Sequence, residues 1–409
     1  MTFGAVDADS PELTTYVEGV ALVFKDAVPW TSERLEFRRP VYRRQRLTAA
    51  RDGDQVVGTF RSWDVGLTVP GGATVRADAV STVTVRPTHR RRGILTRLIT
   101  DDLRLAAERG LPVVVLIASE APIYGRFGFG AATETARWTV DVRGARLQDG
   151  VPRSGSVEIV PPARAREVGP EVHARSRRPG ALDLEDWWWD TRFGVTPVPG
   201  VPTAPLVAAV HRDGTGTPQG FLLYRFEERW DDRVCRTVVH VEELTAATGE
   251  AYAALWGLLT ELDTVATIDA VERAVDEQLP WLLTDPRAAR QASRCDFQWS
   301  RLLDVPAALA ARSYEARGAV VLEVVDPLGP AAGRYLLEAG DDGAGACTAT
   351  HRAADVVLPV GVLSSLWLGG GDLRAAATAG LAREETAGAL PRLARMLRTT
   401  SAPWTPTWF

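Results

Sequence analysis

The sequence predicts a mixed α/β protein of three consecutive blocks. The first two blocks share one order of elements, a strand meander followed by a helix and a buried strand. The third places its strands before its helices, which is typical of an α+β domain with helices on one sheet face. The length of 409 residues agrees, since it corresponds to two or three domains of about 150 residues each. We place the blocks at 1–150, 151–297 and 298–409.

Composition excludes several classes of protein. With 45% hydrophobic and 24% charged residues, the chain is close to an average globular protein, so disorder, collagen and coiled coil are excluded. The net charge of −5 argues against a nucleic-acid partner. Lys25 is the only lysine, so no Walker A motif exists. Three cysteines and five histidines are scattered without metal-ligand spacing, and we expect no metal.

Targeting signals are not visible in the sequence. The N-terminus carries acids where a secretory signal has a basic and then an apolar run. The most apolar later stretch, Val356–Leu368, is interrupted by Pro359 and is shorter than the ~20 residues of a spanning helix. We expect a cytoplasmic protein without a membrane span, and the sequence leaves export without a signal peptide open.

The elements of the first block follow from alternation and turn residues. Strands are predicted at 47–50, 56–61 and 77–85, and the helix Ile94–Arg109 places most of its apolar residues on one face. A continuous apolar run at 112–119 indicates a fully buried strand.

The later blocks follow a stretch rich in Gly, Pro and Arg at 145–165, which we interpret as a linker. The second block is predicted to contain strands at 206–211, 221–228, 234–244 and 265–270 and a helix at 249–261. The third is predicted to contain strands at 319–325, 335–339 and 347–351 and helices at 360–368, 372–378 and 384–397.

The strongest local motif joins the third strand to the first helix. The residues Thr88-His-Arg-Arg-Arg-Gly93 form a basic turn whose amides and helix N-terminus suit a pyrophosphate. Gly93 would let the backbone approach the phosphate closely. An ordinary strand–helix junction with a solvated basic turn is the alternative.

A family resemblance rests on motifs along nearly the whole chain. Arg90–Leu95 is similar to the Gln/Arg-x-x-Gly-x-Gly/Ala turn of the GNAT superfamily, with leucine at the last position. The segment 118–130, ASEAPIYGRFGFG, resembles the signature of the Eis (enhanced intracellular survival) N-acetyltransferases. Further similarities are LPWLLTDPRAAR (279–290), LLDVPAALAARSY (302–314), LSSLWLGG (363–370) and the terminal Trp408-Phe409.

The resemblance implies two tandem GNAT-like domains with mixed sheets, followed by a sterol-carrier-like α+β domain. It also implies a homohexamer of two stacked trimers, and acetyl-CoA as co-substrate in the first domain. The second block has the acidic Glu242–Gly249 where a basic turn should lie, so we expect no CoA there. The residues expected to hold CoA are Val83, Thr84, Val85, Arg91, Arg92, Gly93, Ile94, Leu95, Thr96, Ser119 and Glu120.

The resemblance also assigns the catalytic groups. Tyr124 would be the general acid for the departing thiolate, since a phenol with a pKa of ~10 holds its proton at neutral pH. The α-carboxylate of Phe409 would be the base that deprotonates the amine, and burial would raise its pKa. The tail 403–409 carries two prolines and three aromatic residues that could anchor it. An aromatic tail used only for packing is the alternative.

The acceptor is expected to be a primary amine, such as an aminoglycoside, a polyamine or a lysine side chain. Phe24 and Asp26 match pocket positions of the family, with Asp26 facing an ammonium. Phe37, Trp63 and Ser81 are further candidates. Trp408 replaces an acid that multi-site aminoglycoside acetylases carry there, which favours a narrower or more apolar amine. A non-catalytic protein that binds a small molecule or lipid through the third block is the alternative function.

Overall fold

A computed structural model describes all 409 residues. The chain forms two compact units, each described separately below. Unit 1 contains Met1–Thr133, Arg178–Asp183 and Asp296–Phe409, and unit 2 contains Glu134–Arg177 and Leu184–Cys295.

The first 133 residues contain six strands and three helices, including every element predicted for this part of the chain. In chain order they are β1 (Thr2–Ala5), α1 (Glu12–Phe24), α2 (Ser32–Tyr42), β2 (Arg46–Asp52), β3 (Gln55–Thr68), β4 (Thr74–Val85), α3 (Ile94–Glu108), β5 (Val113–Ile117) and β6 (Gly130–Ala131).

The middle of the chain contains nine strands and four helices. They are β7 (Glu134–Asp141), β8 (Ser156–Val160), α4 (Pro162–Ser176), α5 (Asp186–Arg192), β9 (Val207–Arg212), β10 (Pro218–Glu227), β11 (Trp230–Asp231), β12 (Val234–Cys235), β13 (Thr237–Ala246), α6 (Gly249–Thr260), β14 (Val265–Arg273), α7 (Leu279–Leu282) and β15 (Ala289–Asp296). The predicted linker at 145–165 therefore contains a strand and the start of a helix.

The last part of the chain contains six strands and four helices. They are β16 (Gln298–Leu302), α8 (Val305–Ala310), β17 (Gly318–Val325), β18 (Gly333–Ala339), β19 (Gly345–Ala349), β20 (Val356–Pro359), α9 (Val360–Leu366), α10 (Leu373–Thr378), β21 (Arg383–Glu384) and α11 (Ala389–Leu397). The predicted helix at 384–397 begins only at Ala389, because Gly388 precedes it with positive φ and residues 383–384 pair with β20.

Unit 1 is built on a seven-stranded sheet in the order β1-β2-β3-β4-β5-β16-β6. Only β4 and β5 run parallel, and they are joined by α3 as a crossover. One face, here called the α3 face, packs Val80, Val114 and Leu116 against α3. The opposite face, here called the tail face, packs Ala79 and Val115 into a core shared with the C-terminal part of the chain.

Strand β16 differs from the prediction that assigned 298–409 to a separate domain. Gln298–Leu302 pairs with β5 on one side and with β6 on the other, inside the first sheet. β16 thereby supplies main-chain hydrogen-bond partners to both β5 and β6, which do not pair with each other. A second sheet of unit 1, β19-β18-β17-β20-β21, follows, and its core is filled by Trp367, Leu322 and Leu393.

Unit 2 is built on a sheet in the order β15-β7-β14-β13-β10-β9-β8. Its first strand begins at Glu134, so the second sheet begins before the predicted boundary at 150. The similarity of element order to the first block is visible here, because β13 and β14 are parallel and joined by α6. No helix of the chain combines the length and apolar character that a membrane crossing needs.

A buried pair of acids fixes α3 against the sheet. Asp78 on β4 is only 1% exposed and hydrogen-bonds Asp102 on α3, whose Oδ1 also accepts a bond of 2.7 Å from Ser62. Burial and the neighbouring Asp102 raise the pKa of Asp78 to about 9, against the opposing effect of its partner Arg46. Burial also raises the pKa of Asp102. The two carboxyl groups therefore share a proton at neutral pH.

This pair makes stability fall as pH rises. The folded protein keeps a proton up to about pH 9 that the unfolded chain releases near pH 4, so stabilisation present in acid is lost across that window. We expect Asp78→Asn to flatten the dependence, which can reach about 1.4 kcal/mol per pH unit. Urea unfolding at pH 5 and pH 8 measures it.

Asp64→Asn is the matched control with the opposite sign. Partial burial raises the pKa of Asp64, but Arg109, Arg76 and Arg46 outweigh it, and the net pKa is lowered. Its removal should therefore cost the same stability at pH 5 and pH 8, and less only below its ordinary pKa of 3.8. An Asp78→Asn protein with an unchanged pH slope would contradict the shared proton.

Candidate active site

Strands β4 and β5 diverge at the point where the sequence predicts the CoA site. Their parallel register ends at Val80 and Leu116, while β4 continues to Val85. The pairing of β4 with β3 is also irregular here, because β4 forms a bulge opposite the segment between Thr59 and Arg61. Thr82, within this bulge, has a φ of +48°. Residues 81–85 thus present an open strand edge towards β5, where an extended amide-containing chain can pair. We call this gap the splay.

The turn after β4 has the geometry and charge of an anion site. Arg91 and Gly93 have positive φ of 64° and 76°, and mixed right- and left-handed backbone is typical of anion-binding nests. Gly93 directly precedes α3, a helix of fifteen residues with no acid in its first turn. Its positive end is therefore unopposed. Ile94 is buried and anchors the turn to the α3 face.

The remaining residues of this turn are accessible. Arg91, Arg92 and Thr96 are exposed and Leu95 is half-buried. The two arginines form no ion pair, in contrast to Arg97 and Arg104 further along α3, which pair with acids of their own helix. Of the predicted residues, Arg91, Arg92, Gly93 and Thr96 therefore form one basic, solvent-facing group at a helix N-terminus, which suits a pyrophosphate, while Ile94 is buried beneath them.

Tyr124 lies in the loop that follows β5, on the α3 face. It is 7% exposed, packs edge-on against Phe129 at 5.9 Å, and contributes to the core of that face. Burial, with a smaller effect of Glu120, raises the pKa of Tyr124 to about 12. The phenol therefore stays protonated across the whole neutral range. Ser119 and Glu120 are exposed at the C-terminal end of β5, beside the splay.

Arg301 of β16 holds the loop that carries Tyr124 in place. This arginine is fully buried, donates 3.0 Å to the carbonyl of Phe127, and pairs with Asp326 at 2.7 Å. Gly128 in the same loop has a φ of +83°, and a Cβ there would lie 2.7 Å from Val360. The glycine of the signature is therefore required by backbone conformation and by close packing.

The C-terminal tail is extended and anchored. Trp404 donates its backbone N–H to Pro179 at 2.7 Å, and Arg178 donates 2.6 Å to the carbonyl of Ala402. Alternate residues Thr405 and Thr407 are buried. Chain termini usually fray, but these contacts hold the C-terminal tail against the rest of unit 1.

The tail ends on the tail face of the first sheet. The Phe409 ring meets Trp63 edge-on at 5.9 Å, and Trp63 pairs with Ala79 of β4, next to the splay. Trp408 is 57% exposed, and its ring lies 5.6 Å from that of Phe297. Phe409 and Tyr124 thus lie on opposite faces of one sheet, and the splay is the gap between β4 and β5 that joins the faces.

The other predicted acceptor residues lie in three places. Ser81 and Trp63 are half-buried beside the splay, with Phe409 packed on Trp63. Phe24 and Asp26 lie at the C-terminal end of α1, where Phe24 is exposed and Asp26 pairs with Arg34 at 3.2 Å. The predicted ammonium partner is therefore already engaged by a cation. Phe37 is half-buried on α2.

Sequence reasoning missed the polar residues around Trp63. The guanidinium of Arg61 lies over the rings of Trp63 and Tyr42, at 5.2 and 5.9 Å. Arg61 falls two residues before Trp63 on a strand, so both face the same side. The two-residue spacing of Arg61 and Trp63 was visible in the sequence. The sequence did not show which face of the sheet the C-terminal tail would cover.

The corresponding gap in unit 2 is closed. Glu242 and Glu243 lie within β13, not in the turn after it as predicted, and both pair with Arg192. Arg273 of β14 donates 2.6 Å to the carbonyl of Leu244, so a side chain occupies the strand edge that is open in unit 1. These contacts support the expectation that unit 2 binds no CoA.

Family models match three parts of the chain. Residues 7–132 and 180–312 each match an acetyltransferase (GNAT) domain, and residues 305–406 match a sterol carrier protein domain. The predicted fold of two GNAT domains and a sterol-carrier-like domain is confirmed. Fold and site together define an acyltransferase enzyme of the GNAT class.

Relatives narrow this class to one family. An uncharacterized N-acetyltransferase of Streptomyces avermitilis is 43% identical over 89% of this chain and 88% of its own. N-acetyltransferase Eis of Mycobacterium tuberculosis is 38% identical over 78% of this chain and 77% of its own. The crystal structure of Eis1 from Mycobacterium abscessus has a TM-score of 0.87 and 30% identity, with full coverage of both chains. The chain belongs to the Eis family of GNAT N-acetyltransferases.

Charge reversal in the basic turn tests the CoA site. We expect Arg91→Glu to raise the Kd of CoA at least about 10-fold, because an attraction to pyrophosphate worth more than ~1.4 kcal/mol becomes a repulsion. Isothermal titration calorimetry should give one site per chain for the unaltered protein. Arg104→Glu makes the same charge change on the exposed side of α3 and should leave the Kd unchanged. Two sites per chain, or equal effects of both substitutions, would contradict the assignment.

Proposed function

We propose that the protein transfers an acetyl group from acetyl-CoA to a primary amine in one direct step, with Tyr124 and Phe409 on either side of the splay. The observation that carries the proposal is the packing of the Phe409 ring on Trp63, beside the open edge of β4. Acetyl-CoA would supply a thioester whose C–S bond breaks as the amine nitrogen bonds to the carbonyl carbon. The chain would hold its pantetheine arm along Val83–Val85 and its pyrophosphate at Arg91–Thr96.

Tyr124 is proposed to stabilise the departing sulfur. With a pKa of about 12 it is a weaker acid than an ordinary thiol, whose pKa is ~8.5. A complete transfer of the phenol proton to the thiolate would therefore be uphill. We infer that Tyr124 first donates a hydrogen bond to the developing negative charge on sulfur, and that the proton moves only as CoA leaves.

The α-carboxylate of Phe409 is proposed to take the proton from the attacking amine. Its support is positional, since the buried Thr405 and Thr407 and the contact with Trp63 hold the last residue over the tail face. An alkyl ammonium must lose a proton before its nitrogen can attack, and a partly desolvated carboxylate beside it is a suitable acceptor. The proposal requires that the mature chain end at Phe409.

The competing function, binding of a lipid by the third block, has less support. The interior of that block is filled by side chains such as Trp367 and Leu322. A cavity of about 400 Å³ lies at the edge of its sheet and is lined by Arg334, Thr350 and His351 as well as Tyr335. This cavity is open to solvent and its lining mixes charged and apolar side chains, whereas a lipid site should enclose most of its ligand. Release of CoA across a panel of amines, followed with a thiol reagent, separates the two functions, and no release with any amine would contradict acetyl transfer.

The homohexamer remains part of this proposal. Large apolar side chains exposed on the single chain, such as Trp281 at 83% exposure, support a role in subunit contacts. Analytical ultracentrifugation at several protein concentrations tests the assembly.

Replacing the proposed acid should slow turnover selectively. We expect Tyr124→Phe to lower kcat on the order of 10²–10⁴-fold and to leave the Kd of CoA unchanged, since only the hydroxyl is lost. The raised pKa of Tyr124 keeps the phenol protonated, so the kcat of the unaltered protein should not fall between pH 8 and pH 10 through this group. Steady-state kinetics across this range measures both. A kcat that is the same in both proteins would assign the proton to water or another donor.

Extending the chain tests the proposed base. One glycine added after Phe409 turns its carboxylate into an amide and moves the new carboxylate up to ~3.6 Å along the chain. We expect most turnover to be lost, since a 1 Å displacement can cost ~10²-fold. The Kd of CoA and the melting temperature should stay near those of the unextended protein. An N-terminal glycine is the control, and intact mass must confirm each terminus. Full activity of the C-terminally extended protein would exclude Phe409 as the base.

A further inference from the structure

We propose that the acceptor amine carries an anionic group, a carboxylate or a phosphate, and that Arg61 binds it. This inference rests on the proposed function and names the chemical class of its acceptor. It differs from the polycationic amines expected from the sequence.

Arg61 lies beside the proposed position of the reaction. It pairs in register with Ser81, the first residue of β4 beyond its parallel pairing with β5. Its guanidinium carbon is 5.2 Å from the ring centre of Trp63, and that ring contacts Phe409. An acceptor whose nitrogen meets the Phe409 carboxylate would therefore extend over Trp63 towards Arg61.

The charge of Arg61 is not balanced by the protein. It forms no ion pair, and its buried Nε has no hydrogen-bond partner. Other arginines of the same sheet are paired, as Arg46 is with Asp64 at 3.0 Å and Arg76 with Asp64 at 2.8 Å. Buried guanidinium groups are normally satisfied by a carboxylate or phosphate, which their fork of donors matches. Arg61 is half-buried, so a small molecule can reach it.

The surroundings of Arg61 add positive charge. Arg38 on α2 is half-buried, and desolvation lowers its pKa; Tyr42 opposes this effect, and the nearby Arg61 and Arg34 add to it. Asp26 is the acid of this group, but it already pairs with Arg34 at 3.2 Å. Like charges repel more strongly in a half-buried site than in bulk water, because the site is less well screened. A second ammonium on the acceptor is therefore disfavoured here, and an anion is favoured.

The Phe409 carboxylate is not a satisfactory partner for Arg61 in the proposed mechanism. An arginine bound to that carboxylate would lower its pKa and weaken it as a base. The residue before it, Trp408, adds no negative charge. The two alternatives predict different kinetics: an arginine serving the acceptor affects KM for anionic amines alone, whereas one serving the base affects kcat for every amine.

Acceptor pairs that differ in the presence of an anionic group provide the test. L-Phenylalanine and L-phenylalaninamide form the carboxylate pair, and O-phosphoethanolamine and ethanolamine form the phosphate pair. With the full-length protein and acetyl-CoA, we expect KM to be at least about 10-fold lower for the anionic member of one pair, and which pair responds identifies the anion. Calorimetric binding of the same compounds in the presence of CoA gives a readout that needs no turnover.

Arg61→Gln should remove the preference. We expect it to raise KM for the anionic amine at least about 10-fold, while KM for its neutral partner and kcat for both stay the same. Arg104→Gln, on the exposed side of α3, is the control for loss of one positive charge. Arg104→Gln should keep the lower KM for the anionic amine that the unaltered protein shows.

Three results would overturn the inference. One is acetylation of the neutral members or of spermidine with equal or lower KM than the anionic members, which leaves the proposed function intact. Another is an equal fall of kcat for all amines in Arg61→Gln, which would mean that Arg61 acts on the Phe409 carboxylate and not on the acceptor. The third is failure of the anionic compounds to bind in the presence of CoA, whatever the turnover. Binding without any CoA release would instead support the anionic site and contradict the proposed transfer.

Discussion

The buried ion pair between Arg301 and Asp326 holds together the parts of unit 1 on which the site depends. Arg301 lies on β16, a strand from the C-terminal third of the chain that lies between β5 and β6 of the first sheet. From there it contacts the Phe127 carbonyl in the Tyr124 loop and Asp326 after β17 of the second sheet. Removing one member of such a pair leaves a buried charge that typically costs about 3–5 kcal/mol. The Tyr124 loop and the C-terminal part of the chain are therefore fixed in one frame, although more than 170 residues separate Phe127 from Arg301.

This frame bears on how the proposed acid and base, which lie on two faces of a sheet, would serve one reaction. Tyr124 packs on the α3 face and Phe409 on the tail face, and a continuous sheet would separate them. The splay between β4 and β5 removes that barrier where the bulge at Thr82 opens the strand edge. In unit 2 the related gap between β13 and β14 is bridged by Arg273, so the same topology lacks the opening. Shared fold alone does not supply the site, which depends on a few side chains at the divergence of two strands.

The sequence predicted the local elements well and their assembly less well. The helix at 94–109 and the strand at 112–119 were confirmed, because amphipathic periodicity and a continuous apolar run depend on neighbouring residues alone. Insertion of β16 into the first sheet could not be predicted, since strand pairing across more than 180 residues leaves no local pattern. The basic turn at Arg91 and Gly93 was visible as a motif. The pairing of Asp26 with Arg34 and the unbalanced charge of Arg61 depend on packing between α1, α2 and β3, so they required the structure.

A crystal structure of the full-length protein with CoA bound would show whether the splay joins the proposed acid on one face to the proposed base on the other. We expect the CoA sulfur in the gap between Ser81–Val85 and Ile117, with the Tyr124 hydroxyl within hydrogen-bond reach on one side and Phe409 facing the sulfur from the other. A sulfur on the solvent side of the Arg91 turn, away from both groups, would contradict it, as would CoA bound to unit 2.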